Sequence, residues 1–337
     1  MATFIIAEAG VNHNGNLDMA LGLVRAAHSA GADAVKFQTF RAEDLVTPSA
    51  PQAPYQEEND KAASQLEMLK RLELSESNHR TIIEECKRLG IMFISTPFSL
   101  RAARFLDSMD MKIWKLSSGD LTNLPLLEFV ASTGKPIILS TGMATEDEVA
   151  AAVSILTNAG TVPENIALLH CTTAYPTPPS EANLKAMHTL QRINPRGATG
   201  YSDHTAGIAV PIAAVAMGAR IIEKHFTLDR NLPGPDHKAS LTPDELTEMI
   251  SNIRTVEKAM GDGTKQPTDA EKPNAPVARK SIVAASEIAP GEKFTTENLT
   301  TKRPGTGISP MLWHEIMGRK ARHAYCPEQL INPDELQ

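Results

Sequence analysis

The stretch Phe4–Gly10, FIIAEAG, is the first of eight short apolar runs that end in polar or ionisable residues. The other seven are Ala34–Phe40, Ile91–Phe98, Ile113–Gly119, Pro136–Gly142, Ile166–Cys171, Gly197–His204 and Arg220–Phe226. Stretches with the apolar spacing of helices lie between these runs, for example Leu17–Ala30 and Glu146–Ala159. Eight strand–helix units in succession predict an α/β fold of the (β/α)8 TIM-barrel type, whose active site lies at the carboxyl ends of the strands.

The predicted strand ends therefore supply the first candidates for active-site residues. They offer carboxylates, ammonium groups, imidazoles, hydroxyls and one amide, which together can bind anions, hold a metal and move protons. The candidates are Glu8, Lys36, Gln38, Thr96, Lys115, Ser118, Ser140, His170, Ser202, His204, Glu223 and His225.

The length of the chain and a change in composition predict two domains. The 337 residues exceed the roughly 250 of a typical barrel, and the segment after a predicted last helix, Pro243–Met260, is rich in Gly, Pro and charge. We predict a barrel over residues 1–262, a linker over 263–279 and a compact module over 280–337. The module should contain short strands at Lys280–Ala285 and Leu299–Arg303, and it is small for independent stability.

One connection in the predicted barrel is unusually long. The segment from Arg41 to His79, between the second and third strands, contains a Pro-rich stretch at Thr47–Tyr55 that we interpret as an ordered loop. A helix is predicted at Gln65–Leu72. Long insertions at this end of a barrel usually contribute to substrate binding or form a lid.

Bulk composition argues against several classes of protein. The net charge is −7 without a basic run, which disfavours nucleic acid as a partner. No apolar stretch reaches the roughly 18 residues that cross a bilayer, and the first residues do not resemble a signal peptide. Cys86, Cys171 and Cys326 form neither a disulfide pattern nor a zinc motif. We therefore expect a cytoplasmic protein without a membrane partner.

Two histidines end neighbouring predicted strands, His204 the seventh and His225 the eighth. Neighbouring strands lie about 4.8 Å apart, so two imidazoles at matching heights can share one divalent metal. Two nitrogen ligands leave the other coordination positions open, as a Lewis acid requires. The pairing favours this metal site over the alternative that each histidine only forms hydrogen bonds in the barrel mouth.

Two lysines, Lys36 and Lys115, lie on the second and fourth predicted strands. A buried ammonium group is costly without a partner, and lysines among hydroxyls suit a phosphate or a carboxylate. We predict an anion site, with structural salt bridges to Glu8 or Glu223 as the alternative. The hydroxyls expected around the lysines are those of Thr96, Ser118, Ser140 and Ser202.

Three further residues carry less specific signals. Glu8 precedes a Gly- and Asn-rich turn, and a carboxylate beside a metal and lysines supplies a group for proton transfer during carbonyl addition. Asp236 lies in a Pro-rich loop after the eighth strand, where a solvated loop aspartate is an equally good interpretation. Cys171 has no marks of an activated nucleophile, so we interpret it as a buried structural thiol.

In this order, the motifs resemble the sialic acid synthase family, the phosphoenolpyruvate-dependent nonulosonic acid synthases. The tail motif KRPGTGI at 302–308 is similar to the antifreeze-like (SAF, β-clip) module that ends these enzymes. The barrel motifs are AEAGVNHNG at 7–15, VKFQT at 35–39, STPF at 95–98, KLSSG at 115–119, LSTGM at 139–143, LHCT at 169–172, SDHT at 202–205, EKHFT at 223–227 and GPD at 234–236.

The resemblance implies an enzyme that condenses phosphoenolpyruvate with the open-chain aldehyde of an N-acylated mannosamine and releases phosphate and a nine-carbon 2-keto acid. It implies that His204 and His225 hold a divalent metal, Mn²⁺ before Mg²⁺ or Co²⁺, and that Glu8 places the metal-bound water or the sugar hydroxyls. Gln38 and Asp236 would meet the acceptor sugar. The residues implied to bind phosphoenolpyruvate are Lys36, Thr96, Lys115, Ser118, Ser140, Ser202 and, nearby, Tyr175.

The sequence departs from the family pattern at two acceptor positions. Asp120 stands where many members carry glutamate, and Thr173 stands where some carry asparagine. The motif GPDHKAS at 234–240 favours the neuraminate and legionaminate branches over the pseudaminate branch. The main prediction is an N-acetylneuraminate synthase that uses N-acetylmannosamine. The alternative is an N,N'-diacetyllegionaminate synthase that uses 2,4-diacetamido-2,4,6-trideoxymannose, which differs at C4 and C6.

The resemblance also implies a domain-swapped homodimer, in which the SAF module covers the partner's barrel and Arg303 contacts the N-acyl group of the sugar there. Two other classes remain as alternatives. One is a metal-dependent aldolase or a keto-acid synthase that uses a sugar phosphate. The other is an ice- or carbohydrate-binding protein, against which the ionisable groups at the strand ends count.

Overall fold

A computed structural model describes residues 2–59, 62 and 64–337. The chain divides into two compact units, Met1–Gly261 and Asp262–Gln337. Over the described residues, every helix is too short or too polar to cross a membrane.

The first unit is built on eight parallel strands. They are β1 (Phe4–Gly10), β2 (Ala34–Thr39), β3 (Met92–Pro97), β4 (Trp114–Leu116), β5 (Ile137–Ser140), β6 (Ile166–His170), β7 (Thr199–Asp203) and β8 (Ile221–His225). Their hydrogen-bonded order is β3-β2-β1-β8-β7-β6-β5-β4, and the end strands β3 and β4 contact each other. The predicted (β/α)8 barrel is confirmed, and each strand lies within the apolar run that predicted it.

Helices separate the strands and pack on the outside of the barrel. They are α1 (Leu17–Ser29), α2 (Ala42–Leu45), α3 (Pro54–Asn59), α4 (Gln65–Arg71), α5 (Glu76–Leu89), α6 (Leu100–Ser108), α7 (Leu124–Ser132), α8 (Glu146–Asn158), α9 (Ala186–Ile193), α10 (Ala209–Ala216) and α11 (Pro243–Met260). Local sequence determines where several begin. Thr145 and Glu148 form a reciprocal capping box at α8, and Thr242 and Glu245 do the same at α11.

The long insertion between β2 and β3 contains α2, α3 and α4. The predicted loop at 47–55 ends earlier than expected because α3 begins at Pro54, a residue suited to the first turn of a helix. The predicted helix at 65–72 is present as α4. An apolar cluster attaches this insertion to the barrel, and its buried members are Val11, Phe40, Ala42, Met68, Leu69 and Leu72.

The barrel interior explains where the polar strand-end residues point. An apolar layer, formed by Ile6, Ala34, Ile94, Ile138, Leu169 and Ile221, fills the interior. Side chains of a strand alternate between its two faces, so a residue two positions after a layer residue also faces inward. The residues at this spacing are Glu8, Lys36, Thr96, Ser140, Cys171 and Glu223. The barrel interior therefore changes from this apolar layer to a polar layer at the mouth within two residues of each strand.

The second unit has its own small core. Its strands β9 (Ser281–Ala284) and β10 (Leu299–Lys302) pair antiparallel, and it also contains the short helices α12 (Ala275–Ala278) and α13 (Trp313–Ile316). The buried core residues are Ile282, Ala284, Ile288, Phe294, Leu299, Ile308, Ile316, Ala321, Tyr325 and Ile331. The predicted strands at 280–285 and 299–303 correspond to β9 and β10, each shorter by one or two residues.

Candidate active site

A cavity of about 330 Å³ lies at the carboxyl ends of the barrel strands. It brings together residues that are far apart in the sequence, as the strand-end pattern predicted. The predicted site residues that line it are Glu8, Lys36, Gln38, Thr96, Lys115, Ser118, Ser140, Thr173, Tyr175, Ser202, His204, Glu223, His225 and Asp236.

Two lysines and two glutamates form a buried ionic network at the bottom of the cavity. Lys36 Nζ lies 2.8 Å from Glu8 Oε2 and 3.8 Å from Glu223 Oε2. Lys115 Nζ lies 3.6 Å from Glu223 Oε1. The salt bridges considered as an alternative are therefore present, and they balance the charge of a site that also opens to the cavity. An incoming anion would find two ammonium groups already desolvated and held in place.

The pKa values in this network move in different directions. Burial raises the pKa of Glu8 to about 7, although the neighbouring Lys36 ammonium opposes this rise. Burial acts on Glu223 in the same way, but Lys115 and Lys36 outweigh it and lower the pKa of Glu223 below its usual value. Burial lowers the pKa of Lys115. Glu8 is thus the carboxyl of the network that can exchange a proton near neutral pH.

Hydroxyl groups surround the two ammonium groups. Lys115 Nζ donates hydrogen bonds to Ser140 Oγ at 2.7 Å and to the Leu116 carbonyl at 3.0 Å. Lys36 Nζ donates to Thr96 Oγ1 at 3.2 Å. Ser202 donates to Glu223 at 2.9 Å. Small donors around two cations are the arrangement that binds phosphate or carboxylate groups.

The two histidines lie side by side, with ring centroids 5.5 Å apart. His204 Nδ1 is 2.6 Å from the Thr172 carbonyl, which can only accept a hydrogen bond, so Nδ1 carries the proton and Nε2 keeps a lone pair. His225 Nδ1 is buried, and among the described residues it has no hydrogen-bond partner. Burial lowers the pKa of both rings. Neutral imidazoles with available lone pairs fit a divalent metal.

Gly10 allows Glu8, Gln38 and His225 to converge. Its φ is +52°, in the left-handed region. A Cβ at this position would lie 3.3 Å from Glu8 Oε1 and 3.4 Å from both Gln38 Nε2 and His225 Cε1. The strand register supports the same grouping, because Glu8 pairs with Lys36 on one side and with His225 on the other.

The loops after β1 and β8 are tied together, and this holds Asp236 at the cavity. Asn12 Nδ2 donates to the Phe226 carbonyl at 2.8 Å, and Asn14 Oδ1 lies 3.2 Å from His237 Nε2. Asp236 is buried, which rules out the solvated-loop interpretation, and burial raises its pKa to about 6. Its Oδ2 lies 3.8 Å from His225 Nδ1.

Two candidate residues of the first unit, His170 and Asp120, do not line the cavity, and a third candidate lies in the second unit. His170 follows the inward-facing Leu169 directly, so its side chain points to the opposite face of the strand. Its Nε2 lies 2.8 Å from the Ala182 carbonyl outside the barrel. The prediction of His170 as an active-site residue was therefore wrong. The Asp120 carboxylate accepts hydrogen bonds from Ser117 at 2.6 Å and Asn123 at 3.0 Å. Arg303 belongs to the second unit, directly after β10.

Two residues of the cavity were given no chemical role by the sequence. Glu223 was a strand-end candidate whose specific interpretation was a salt-bridge partner, and it lies between both lysines and lines the cavity. Cys171 is a buried thiol, as interpreted, but its Sγ faces the cavity 3.1 Å from Ser118 Oγ. Strand parity could have found Cys171, because it lies two residues after Leu169 of the apolar layer.

Comparison with protein families identifies the chain. The model of the NeuB family matches residues 23–265, and that of the SAF domain matches residues 279–336. The chain belongs to the NeuB family. The predicted resemblance to the sialic acid synthases is confirmed, as is a barrel followed by a SAF domain. This NeuB-family chain is a nonulosonic acid synthase of the phosphoenolpyruvate-dependent class.

Individual NeuB-family relatives align over nearly the whole chain. The N,N'-diacetyllegionaminic acid synthase of Campylobacter jejuni is 49% identical over 98% of this chain and 98% of its own. The enzyme of the same name from Legionella pneumophila is 46% identical over 95% of this chain and 90% of its own. A crystal structure of N-acetylneuraminic acid synthetase from Leptospira borgpetersenii is 35% identical, with a TM-score of 0.73 over 81% of this chain and 90% of its own.

Proposed function

We propose that this chain condenses phosphoenolpyruvate with 2,4-diacetamido-2,4,6-trideoxymannose to give N,N'-diacetyllegionaminate and phosphate. The observation that carries the choice of acceptor is the identity of 46–49% to two legionaminic acid synthases, against 35% to an N-acetylneuraminic acid synthetase. The proposal therefore takes the alternative acceptor in preference to N-acetylmannosamine, the main expectation from sequence.

In the proposed reaction, C3 of phosphoenolpyruvate forms a bond to the aldehyde carbon of the sugar. The oxygen of a water molecule adds to C2, and the bond between C2 and the oxygen that carries phosphorus breaks, so phosphate leaves. Of the two protons of water, one goes to the former aldehyde oxygen and the other to phosphate. The two ammonium groups, Lys36 and Lys115, would hold the phosphate and carboxylate groups. Glu8 would orient the water or hold a proton, since its pKa of about 7 allows both states near neutral pH.

The proposed metal ligands are His204 and His225, whose lone pairs and lowered pKa values suit this role. We propose Mn²⁺ before Mg²⁺ or Co²⁺. When bound, the ion would polarise the aldehyde carbonyl of the acceptor. The imidazoles would remain neutral because burial disfavours their protonation.

A comparison of acceptors tests the proposed function. With phosphoenolpyruvate and Mn²⁺ present, kcat/KM for 2,4-diacetamido-2,4,6-trideoxymannose should exceed that for N-acetylmannosamine by about tenfold or more, because acceptor substituents contribute to binding in a closed site. Release of phosphate measures turnover. A preference for N-acetylmannosamine would restore the neuraminate assignment. Activity only with a phosphorylated sugar would place the chain in another keto-acid synthase class.

The position of bond cleavage is a separate prediction. In water labelled with heavy oxygen, the label should enter the keto-acid product, because water adds to C2, and the released phosphate should stay unlabelled. Mass spectrometry of both products measures this. Label in the phosphate would mean that the phosphorus–oxygen bond breaks and would contradict the proposed chemistry.

We also propose that Arg303 acts across a homodimer. Its planar guanidinium suits the carbonyl of an N-acyl group, and the unit that contains it has a core of only ten buried residues, too few to be comfortably stable alone. A mixture of inactive Arg303→Ala and His225→Ala proteins should regain part of the activity after subunit exchange, because a mixed dimer has one intact site. If exchange is demonstrated by mass spectrometry and activity stays absent, Arg303 does not act in trans.

A further inference from the structure

One wall of the active-site cavity differs in chemistry from its floor. This wall comes from the insertion between β2 and β3, and we define the apolar wall by Leu45, Val46, Met68 and Leu69. Among the described residues, the insertion also contributes Leu72, Gln56 and Gln65 to the cavity lining. Within the described part of the insertion, no charged side chain lines the cavity. The floor instead carries the four-membered ionic network.

The apolar wall is held in place by packing. Met68 and Leu69 are 1% and 8% exposed, and they pack in the cluster that attaches the insertion to the barrel. Ser64 caps the helix that carries them by accepting a hydrogen bond from the Glu67 N–H at 3.2 Å. A preformed apolar surface binds an apolar group without a cost for ordering its own side chains.

The chemistry of the wall restricts which acceptor substituent can lie against it. The side chains of Leu45, Val46 and Leu69 have no hydrogen-bonding group, and Met68 has only a weakly accepting sulfur. A sugar hydroxyl placed there would lose its bonds to water without replacement. An acetamido group also has a carbonyl and an N–H to satisfy. A methyl group has neither requirement and gains from leaving water.

We propose that the apolar wall is the subsite for the C6 methyl group of a 6-deoxy acceptor and is the part of the enzyme that rejects a 6-hydroxyl. This inference rests on the proposed function for the presence of a deoxygenated acceptor. In this proposal the insertion determines which substituent the enzyme accepts at C6 of the sugar. Other groups of the cavity determine which substituent it accepts at C4.

The test uses two acceptors that differ only at C6, N-acetylmannosamine and its 6-deoxy analogue, with phosphoenolpyruvate and Mn²⁺. The unmodified enzyme should favour the 6-deoxy sugar by about tenfold in kcat/KM, the usual discrimination for one small substituent in an apolar pocket. Val46→Thr and Leu45→Asn keep the number and branching of the side-chain heavy atoms but add polar atoms. Each should lower the ratio of the two kcat/KM values by about threefold or more.

Matched controls separate the subsite from general effects. Val162→Thr and Leu124→Asn make the same changes at exposed residues that do not line the cavity, so they should leave the ratio unchanged. Calorimetry of phosphoenolpyruvate binding and thermal unfolding establish that each variant is folded. Unchanged ratios in folded wall variants, or no preference for the 6-deoxy sugar in the unmodified enzyme, would overturn the proposal.

The two proposals can fail separately. If the enzyme favours the 6-deoxy sugar and the wall variants reduce this preference, but N-acetylmannosamine is turned over better than the 2,4-diacetamido sugar, the legionaminate assignment is wrong and the C6 subsite stands. If the 2,4-diacetamido sugar is favoured and the wall variants leave discrimination at C6 unchanged, the legionaminate assignment stands and the C6 subsite is wrong.

Discussion

Replacing His225 with alanine is expected to lower turnover by about a thousandfold or more, because the loss of a Lewis acid removes several kcal/mol of transition-state stabilisation. His204→Ala should have an effect of similar size. The reason lies in the geometry of the pair. The rings are neighbours, and the proton of His204 is on Nδ1. His225 Nδ1 is buried without a hydrogen-bond partner in the part of the chain that the structure describes.

Chelation provides the complementary measurement. Treatment of the unmodified protein with a chelator should abolish turnover, and added Mn²⁺ should restore it. Elemental analysis and a metal-dependent rise in melting temperature supply readouts that do not depend on activity. His188→Ala is the matched control, because His188 is exposed on α9 and does not line the cavity. Full activity of chelated enzyme would mean that the two histidines are structural.

Replacing Lys36 or Lys115 with methionine should weaken phosphoenolpyruvate binding by about 1.5–3 kcal/mol, which is roughly 10- to 150-fold in Kd. Methionine keeps most of the volume of the side chain and removes its charge. Both ammonium groups are buried and face the cavity, so solvent screens them little. Isothermal titration calorimetry measures the change directly.

The same substitutions also disturb the ionic network, and a control must separate the two effects. Lys36→Met leaves Glu8 without its partner at 2.8 Å, so the melting temperature should fall. Lys112→Met makes the same change at an exposed lysine paired with Asp110 at 2.6 Å, and it should alter neither binding nor stability measurably. Unchanged phosphoenolpyruvate affinity in both buried variants would contradict the assigned anion site.

The sequence predicted the barrel well because the signals for its strands and helices each lie within a short stretch of chain. Each strand is a short apolar run, and helices with apolar spacing follow, so chain order alone implies parallel strands. Because the strands are parallel, their carboxyl ends lie at the same end of the barrel. The sequence alone therefore placed Glu8, Lys36 and His225 in one predicted site. The family motifs then predicted the SAF domain, which the domain comparison confirmed.

One prediction failed because the direction of a side chain mattered. His170 ends a strand but faces away from the barrel interior, because its neighbour Leu169 faces inward. Asp120 follows β4, where three residues of strand pass into a tight turn, and its carboxylate is held by Ser117 and Asn123. Counting from the apolar layer in steps of two would have excluded His170. The same count says nothing about Asp120, because a turn has no fixed parity, and its contact with the acceptor stays a prediction.

The sequence by itself determined the fold, the family and most of the polar residues of the cavity. This was possible because the periodicity of a strand and the chemistry at its end are both visible in a few consecutive residues. Only the tertiary structure decided that Glu8 lies between Lys36 and His225, that Glu223 lies near both lysines, and that Leu45 and Met68 face the same cavity. These contacts depend on strand register and on how an insertion packs across the barrel mouth. Both are set by interactions between residues far apart in the chain, which no local pattern specifies.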